Sequence, residues 1–528
     1  MSHGAERLLV AGVLLLVAVA YVPSLSGGWV WDDFQVIVAQ PHFDRPWALF
    51  AMDVFGGDDS ATSVVYRPLV ALSYSPGQGF LGGGPGFERV LSLLLHLGAV
   101  CCVAGWARTL GAPLKSAWLG AAVFGLHTGC TEAVAWVSGR QDLLPTLLLL
   151  GAGWAFSVSR LYVAALLVFL APFGKESMLV VPAVVLLWMA GRPSREGGWV
   201  LVAAAVGALA VLGIRAVLGL EVHVLEGWFH PFEGIGGLAL RLGQLALVPT
   251  SADALPGLVA SLWVGLGVLV LGGVGLVSSL GRPKRAACMS LLLPLVPAGM
   301  AASHTGHASD RYLYPAFAAL GLAVALLPLS KRVWTVAWAV PAALFAATFL
   351  RAGDWVDDVT LFSASMARQP DSRQAAFHLA HALHRYNGDC TAAIPLYRRS
   401  QEPRAANNLQ ACLVETGQHK EALAMGEMLA SASPQNPNPA ANTARAAVAL
   451  GDLPTARTWA QRAVDRAPDR ASNQVLLGNI LGQLEAYEQA AIAFEAALAL
   501  ESYHPEAVAG LRAVRAIGDA PSAPPEPR

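Results

Sequence analysis

The chain has 528 residues, of which 55% are hydrophobic and only 13% charged, against about 25% charged in soluble domains. That balance argues against a single water-soluble globule. Lys+Arg (35) and Asp+Glu (36) nearly cancel to a formal charge of -1, so no global field draws the chain to nucleic acid, and six Cys are too few for a disulfide-built scaffold.

Hydropathy is unevenly distributed. Residues 8–31, 257–280 and 333–350 contain no charged side chain. A bilayer core about 30 Å thick needs roughly 20 apolar residues in a helix, so these stretches are long enough to span it. In chain order the expected spans are 8–25, 88–107, 116–130, 142–159, 160–174, 177–191, 198–218, 257–280, 286–303, 312–329 and 333–350. Pro172 and Pro182 inside the short ones are tolerated in membrane helices. Residues 237–250 are apolar but short, and Arg241 and Pro249 interrupt them, so they read as re-entrant or interfacial. Eleven spans put Arg7, Arg108/Lys115, Arg160, Arg192/Arg195, Arg282/Lys284/Arg285 and Lys331/Arg332 all on one side, the cytoplasmic one by the positive-inside rule. The loop 26–87 and everything after 350 then lie outside the cytoplasm.

The last third is charged, Ala-rich and free of long apolar runs. We read 1–350 as a membrane domain, 351–372 as a connector, 373–517 as repeats and 518–528 as a disordered Pro-rich tail. The repeats align on Ala393, Ala422, Ala456 and Ala490, the last two intervals being 34 residues, the tetratricopeptide period. Gly388, Gly417 and Gly451 stand five residues before the first three alanines, and Pro434 and Pro468 twelve after the second and third. Such helix pairs stack into a solenoid with a concave face that binds extended peptides or other proteins. The expected fold is therefore all-α: a polytopic membrane bundle followed by a soluble α-solenoid. Cys390 and Cys412 would share an oxidising compartment, which permits a disulfide; His378, His381 and His384 read as solvated repeat surface.

Ionisable residues inside or beside a membrane are costly, and each is a functional-site hypothesis. On the non-cytoplasmic side they gather at Asp32-Asp33, Tyr66-Arg67, His127, Glu132, Arg140-Gln141-Asp142, Lys175-Glu176 and Asp310-Arg311. Such a face could hold an anionic lipid head group with cations and activate a hydroxyl with a carboxylate. His304 and His307 beside Asp310 are a poor metal set, three residues apart on a loop, and no cofactor follows from the sequence. No glycine-rich phosphate loop points to a soluble nucleotide-sugar donor.

Taken in order, these residues resemble the transmembrane and tetratricopeptide-repeat (TMTC) O-mannosyltransferases, members of the GT-C class of polyprenol-phosphate-sugar glycosyltransferases. The resemblance rests on Asp32-Asp33, Tyr66-Arg67-Pro68-Leu69, Gly82-Gly83, Gly86-Phe87, His96, His127, Thr131 to Leu144, Lys175-Glu176, Ser251-Ala252-Asp253, Asp310 to Pro315, and Trp355 with Leu361-Phe362. It departs from the family pattern at Thr128, Gln141 and Asp310, where the family usually has Pro, Ala and Glu. The resemblance implies a membrane glycosyltransferase of GT-C type that moves a mannose-like hexose, with inversion, from a polyprenyl-phosphate carrier to a hydroxyl of an exported protein presented by the repeats.

Phosphate is already a good leaving group, so one carboxylate base suffices. The resemblance assigns that role to the acidic pair; we expect Asp32 as base and Asp33 as the group positioning the acceptor. Arg311, Lys175 and Arg140 are expected at the donor phosphate. Glu132, Asp142, Tyr66, Arg67 and His127 are expected to contact sugar or acceptor. The competing readings are a non-catalytic, membrane-anchored repeat scaffold for envelope proteins, and the same enzyme class acting on a glycan or lipid. The Ala/Gly/Val/Leu-rich, Arg-over-Lys composition and the absence of any Asn-x-Ser/Thr sequon favour a bacterial inner membrane with the active face in the periplasm; in a eukaryote it would be the endoplasmic reticulum membrane.

Overall fold

A computed structural model describes residues 2–39, 47–50, 66–192, 196–220, 280–305, 309–328 and 330–518, with isolated positions 43, 45, 238, 241, 242, 244 and 245. The expected span 257–280, apart from Leu280, and the Pro-rich tail beyond Gly518 lie outside the described residues. All described regular structure is helical, in two compact units, Met1–Pro370 and Asp371–Arg528.

The first unit contains α1 (His3–Ala20), α2 (Val22–Leu25), α3 (Pro68–Ser75), α4 (Pro85–Thr109), α5 (Leu114–Gly125), α6 (Thr131–Ala135), α7 (Arg140–Ser157), α8 (Leu161–Leu170), α9 (Val181–Gly191) and α10 (Gly197–Val217). After the undescribed stretch come α11 (Arg282–Ser290), α12 (Leu295–Thr305), α13 (Tyr314–Leu326), α14 (Lys331–Ala337), α15 (Ala339–Gly353) and α16 (Asp358–Arg368). Among the described residues, four stretches are long and apolar enough to cross a membrane by length and composition: His3–Ala20, Pro85–Thr109, Gly197–Val217 and Arg332–Val356. Leu161–Phe173 and Glu176–Gly191 are apolar but shorter. These helices make the chain a membrane protein. Several expected spans are interrupted. Residues 8–25 break at Tyr21, ahead of Pro23; residues 286–303 are split between α11 and α12.

Small residues let these helices meet closely, as expected where lipid supplies no hydrophobic drive for association. At the crossing of α5 and α13, a Cβ added to Gly120 would lie 2.1 Å from the Gly321 carbonyl. The polar groups sort to the helix ends. At one end, Glu6, Lys115, Lys284 and Trp334 line one cavity, and Arg192 donates to the Ser157 carbonyl. At the other end the C-termini of α8, α10 and α15 gather with the N-termini of α4, α7 and α13. Arg89, 1% exposed, is a pin there: it donates to Ala135 O (2.9 Å), Gly28 O (2.6 Å) and Trp355 O (2.9 Å). Beside it Arg140 donates to Glu88 Oε2 (2.8 Å), Glu88 O (2.6 Å) and Ser73 O (2.9 Å), and both charged side chains are fully buried.

The expected connector 351–372 includes the end of α15 and all of α16, with ordered ties to the first loop. Trp355 is fully buried, Gly28 N–H donates to Val356 O (2.8 Å), and Trp31 N–H donates to Asp358 Oδ1 (2.7 Å). Residues 351–370 are thus tied to the first loop, and the division between units falls at Pro370.

The second unit is a run of antiparallel helix pairs: α17 (Arg373–Asn387) with α18 (Cys390–Ser400), α19 (Pro403–Glu415) with α20 (His419–Ala432), α21 (Pro437–Ala449) with α22 (Leu453–Arg466), α23 (Ala471–Gln483) with α24 (Tyr487–Leu500), and a closing α25 (Pro505–Gly518). These are tetratricopeptide repeats. Ala393, Ala422, Ala456 and Ala490 are all fully buried where paired helices cross. The turn inside each pair needs one left-handed residue, and Gly388 (φ 63°), Gly417 (78°) and Gly451 (78°) supply it. In the fourth pair Glu485 takes that conformation (φ 61°) and is solvent-exposed. Cys390 and Cys412 form a disulfide, with Cα atoms 5.0 Å apart.

Two consequences can be measured. A left-handed L-residue costs roughly 1–2 kcal/mol that glycine avoids, so Glu485→Gly should raise the midpoint of repeat unfolding, followed by circular dichroism, whereas Gly451→Ala should lower it. Removing one partner of a buried ion pair costs about 3–5 kcal/mol, so Glu88→Gln, which strands the Arg140 charge, should sharply lower the detergent melting temperature. A melting temperature unchanged from the parent would contradict the pairing.

Candidate active-site crevice

The first loop leaves α2 through Gly27-Gly28 and turns at Trp31, whose φ is 57°. A bulky residue in that region is strained, typically by about 1–3 kcal/mol, unless its surroundings fix it. Here they do. The Trp31 indole stacks on Trp136 (centroids 5.1 Å apart) and meets Phe362 edge-on (5.9 Å), and its N–H is held by Asp358. The turn delivers Asp32 and Asp33 to different places. Asp33 points inward and is fully buried: Oδ2 accepts from Val30 N–H (3.1 Å), and Oδ1 accepts from the Ser138 N–H (2.9 Å) and hydroxyl (2.6 Å). Burial lifts its carboxyl to about 6, against the pull of these hydrogen bonds and of Arg89. Asp32 is half-buried at the start of the following helical turn, where its carbonyl accepts from Val36 N–H (2.9 Å).

Trp136 carries a second neighbour: the Arg311 guanidinium lies 4.8 Å from its ring centroid and 4.9 Å from that of Tyr312. Arg311 begins a chain of alternating charges. Its side chain donates to Glu132 Oε1 and its N–H to Glu132 Oε2 (3.1 Å). Its Nε lies 3.6 Å from Asp142 Oδ2, too far for a hydrogen bond. Asp142 accepts from Lys175, whose ammonium also sits over Tyr312 (4.5 Å). A second cluster centres on Glu176, which accepts from Arg67 (3.0 and 2.9 Å) and from Arg215 (3.3 Å); Arg67 also donates to Gln141. Burial raises the Glu132 carboxyl to about 7, with Arg311 opposing, and lowers the Lys175 ammonium to about 8, with Asp142 opposing. Burial pushes Glu176 upward too, but Arg67 and Arg215 overcome it and hold that carboxylate below its usual value.

Side-chain exposure separates groups a ligand can reach from those it cannot. Arg67 is 18%, Glu176 12% and Arg311 10% exposed, with Lys175 (7%) and Asp142 (6%) just behind. Arg140 and Glu88 are at 0%. The expected residues therefore divide. Asp142, Lys175, Arg311 and Arg67 line linked clusters at the reachable edge, while Glu132, 1% exposed, lies behind Arg311. Arg140, expected at the donor phosphate, is instead taken up by Glu88, Ser73 and Ser92. Asp33, expected to position the acceptor, holds the Trp31 turn against Ser138. Tyr66 is buried with its hydroxyl donated to Phe50 O (3.1 Å). His127 is 2% exposed, accepts from Gly129 N–H (3.2 Å) and stacks on Phe317 (4.1 Å) beside an apolar cavity.

The charge reading missed Arg215 and Arg241, which stand in apolar stretches where ionised groups are rare. Arg241 donates both Nε (2.7 Å) and Nη2 (3.0 Å) to Asp310. His304 and His307 fall where no side chain is described.

No protein-family model matches the chain. Curated relatives include protein O-mannosyl-transferase TMTC1 of Mus musculus, 35% identical over 155 residues, 27% of this chain and 16% of that protein. Tmtc2 of Drosophila melanogaster is 36% identical over 135 residues, covering 24% and 14%, and human TMTC1 is 31% identical over 161 residues, covering 28% and 18%. The chain thus spans less than a fifth of the length of these relatives. Among solved structures, a thermophilic TPR protein of Thermus thermophilus is 24% identical, covers 28% of this chain and 84% of its own, and has a TM-score of 0.26. Cut9–Hcn1 of an APC/C hetero-tetramer is 14% identical, covers 85% and 87%, and scores 0.28. The sequence comparison leaves one conclusion: over about a quarter of its length the chain is similar to the TMTC protein O-mannosyl-transferases.

Proposed function

We propose that the chain is a membrane glycosyltransferase of GT-C type that transfers a mannose-like hexose from a polyprenyl-phosphate carrier to a hydroxyl of an exported protein. The observation that carries this is the crevice's network of charged side chains: among the described residues, Arg67, Lys175, Arg215 and Arg311 pair with Glu132, Asp142 and Glu176 at one end of the helices. Cations held in place at low dielectric suit the charge that develops on a departing phosphate.

On this reading the roles are as follows. Asp32, beside the indole that shares Trp136 with Arg311, takes the acceptor hydroxyl proton. The hydroxyl oxygen attacks the anomeric carbon from the face opposite the phosphate, the carbon–phosphate oxygen bond breaks, and the configuration inverts. Arg311 and Lys175 take up charge on the leaving phosphate, with Arg67 beside them in place of Arg140. Asp142 holds Lys175 and faces the sugar hydroxyls, while Glu132, enclosed behind Arg311, holds that guanidinium. The repeats present the polypeptide acceptor. The crevice lies at the end away from the basic loops, so by the positive-inside rule it faces the non-cytoplasmic side, which we take to be the bacterial periplasm.

Two tests bear on this reading. General-base removal typically costs about 10²–10⁴-fold in rate, so Asp32→Asn should lower transfer to an acceptor peptide by about that factor with membrane insertion intact. Mass spectrometry of exported glycoproteins with and without the gene identifies the product, and unchanged glycans would overturn the protein acceptor, leaving the scaffold or a glycan or lipid acceptor. The second is pH. Lys175 loses its proton as pH rises through about 8, so donor binding should decline above that value. Lys175→Arg, whose pKa stays above about 12, should abolish this alkaline limb; a limb at the same place in the variant would remove Lys175 from the phosphate.

A further inference from the structure

The junction of the first and second repeat pairs contains a convergence of groups that the glycosyltransferase reading does not use. His384 lies in the last turn of α17, Cys390 opens α18, and Cys412 and Glu415 lie on the last turn of α19. Ligand atoms of His384, Cys390 and Cys412 all fall within 4.8 Å of one another. Glu415 closes the group: Oε1 is 3.4 Å from His384 Nε2 and Oε2 is 3.2 Å from Cys390 Sγ. As a disulfide that sulfur has no proton to give, so the carboxylate gains no hydrogen bond from it. In this form the sulfurs are joined to each other and His384 faces Glu415 as an ion pair; once the disulfide is opened, two sulfurs, an imidazole nitrogen and a carboxylate are four electron-pair donors that one cation could share.

The surroundings suit such a cation. The Tyr397 hydroxyl lies 3.4 Å from His384 Nδ1, an outer partner of the kind that fixes the imidazole so that its other nitrogen faces a metal. Cys390 stands at a helix N-terminus, which favours a thiolate. The two cysteines are buried, while the side chains of His384 and Glu415 are 21% and 54% exposed, leaving a path from solvent. Tetrahedral zinc with bonds of about 2.0–2.3 Å keeps its ligands roughly 3.5 Å apart. The present spacing needs about an ångström of closure around His384 and the parting of the two sulfurs.

We infer that this junction is a redox-gated zinc site: once the Cys390–Cys412 disulfide is reduced, Cys390, Cys412, His384 and Glu415 bind one Zn²⁺. The balance is simple. Two equivalents of a small-molecule or protein thiol give up two electrons and two protons to the disulfide, yielding two cysteine thiols and one thiol-derived disulfide. Zn²⁺ then displaces the two thiol protons, as metal binding to cysteine does. In the oxidised form the sulfurs are bonded to each other and the site is closed.

The test uses the full chain in detergent, oxidised or reduced with a phosphine that is then removed under nitrogen. Co²⁺ serves as the spectroscopic probe and Zn²⁺ affinity is measured by chelator competition. The reduced protein should take up one equivalent of Co²⁺ with a thiolate-to-cobalt charge-transfer band, and the oxidised protein none. Tyr397→Phe should weaken Zn²⁺ binding about tenfold, His384→Ala and Glu415→Gln at least as much, and Cys390→Ser with Cys412→Ser should abolish it. The inference is overturned if the reduced wild type shows no charge-transfer band, if the double serine variant binds equally, or if His384→Ala binds as tightly as the parent. The oxidised–reduced comparison needs no variant, so a misfolded mutant does not spare the proposal.

Discussion

An ionised group withdrawn from water must meet an opposite charge or a set of dipoles, because the solvation it gives up is worth far more than any surface ion pair returns. That constraint organises the first unit. Arg89 trades its hydration shell for three backbone carbonyls drawn from the first loop, the end of α6 and the segment after α15. Arg140 does the same with Glu88 and Ser73. These two arginines fix the first loop and the ends of α4 and α7 before any ligand arrives. The remaining cations are less completely enclosed. A buried pair adds little net stability over a well-packed apolar core. Its retention beside a crevice is better explained by the geometry it imposes.

The tail was the most legible part of the fold, for a steric reason. A close helix crossing admits only a small side chain, and a left-handed turn admits glycine cheaply, so Ala393, Ala422, Ala456 and the three glycines print their spacing into the sequence. The pattern fades where physics tolerates an exception: Glu485 adopts the left-handed conformation in the turn of the fourth pair, where the same spacing would call for a glycine. The membrane unit was less legible in detail. Hydropathy records that a segment is apolar but not whether it runs unbroken, and the breaks at Tyr21 and between Ser290 and Leu295 leave the mean hydropathy unchanged. The segment 351–370 carries the converse lesson. It is charged and short of apolar runs, yet Val356 and Asp358 bond to the first loop and Trp355 to Arg89 of α4, through contacts between residues far apart in sequence.

At the site, composition could say that acids and bases gather on one side, but not which of two neighbours faces inward. Asp32 and Asp33 are equivalent as letters. The strained turn at Trp31 separates them, sending one into a cage of donors and leaving the other half-exposed. Arg67 and Arg140 exchange places for a similar reason. Arg140 lies at the start of α7 against α4 and is consumed by packing, whereas Arg67 precedes the Pro at the start of α3 and extends to Glu176. Arg215 and Arg241 carried a usable signal, a lone guanidinium in an apolar run, which only a partner such as Glu176 or Asp310 can justify.

Trp136 brings these strands together. One indole takes the strained Trp31 on its ring and the Arg311 guanidinium beside it, while its N–H donates to Val30 O (3.1 Å). The ring therefore couples the turn that presents Asp32 to the cation expected to meet the phosphate. Catalysis by a base and a counter-charge depends on holding both to within a fraction of an ångström of the reacting atoms. The Trp31 turn and the Arg311 guanidinium thus lean on one rigid, fully buried ring, so a change at Trp136 would disturb both at once.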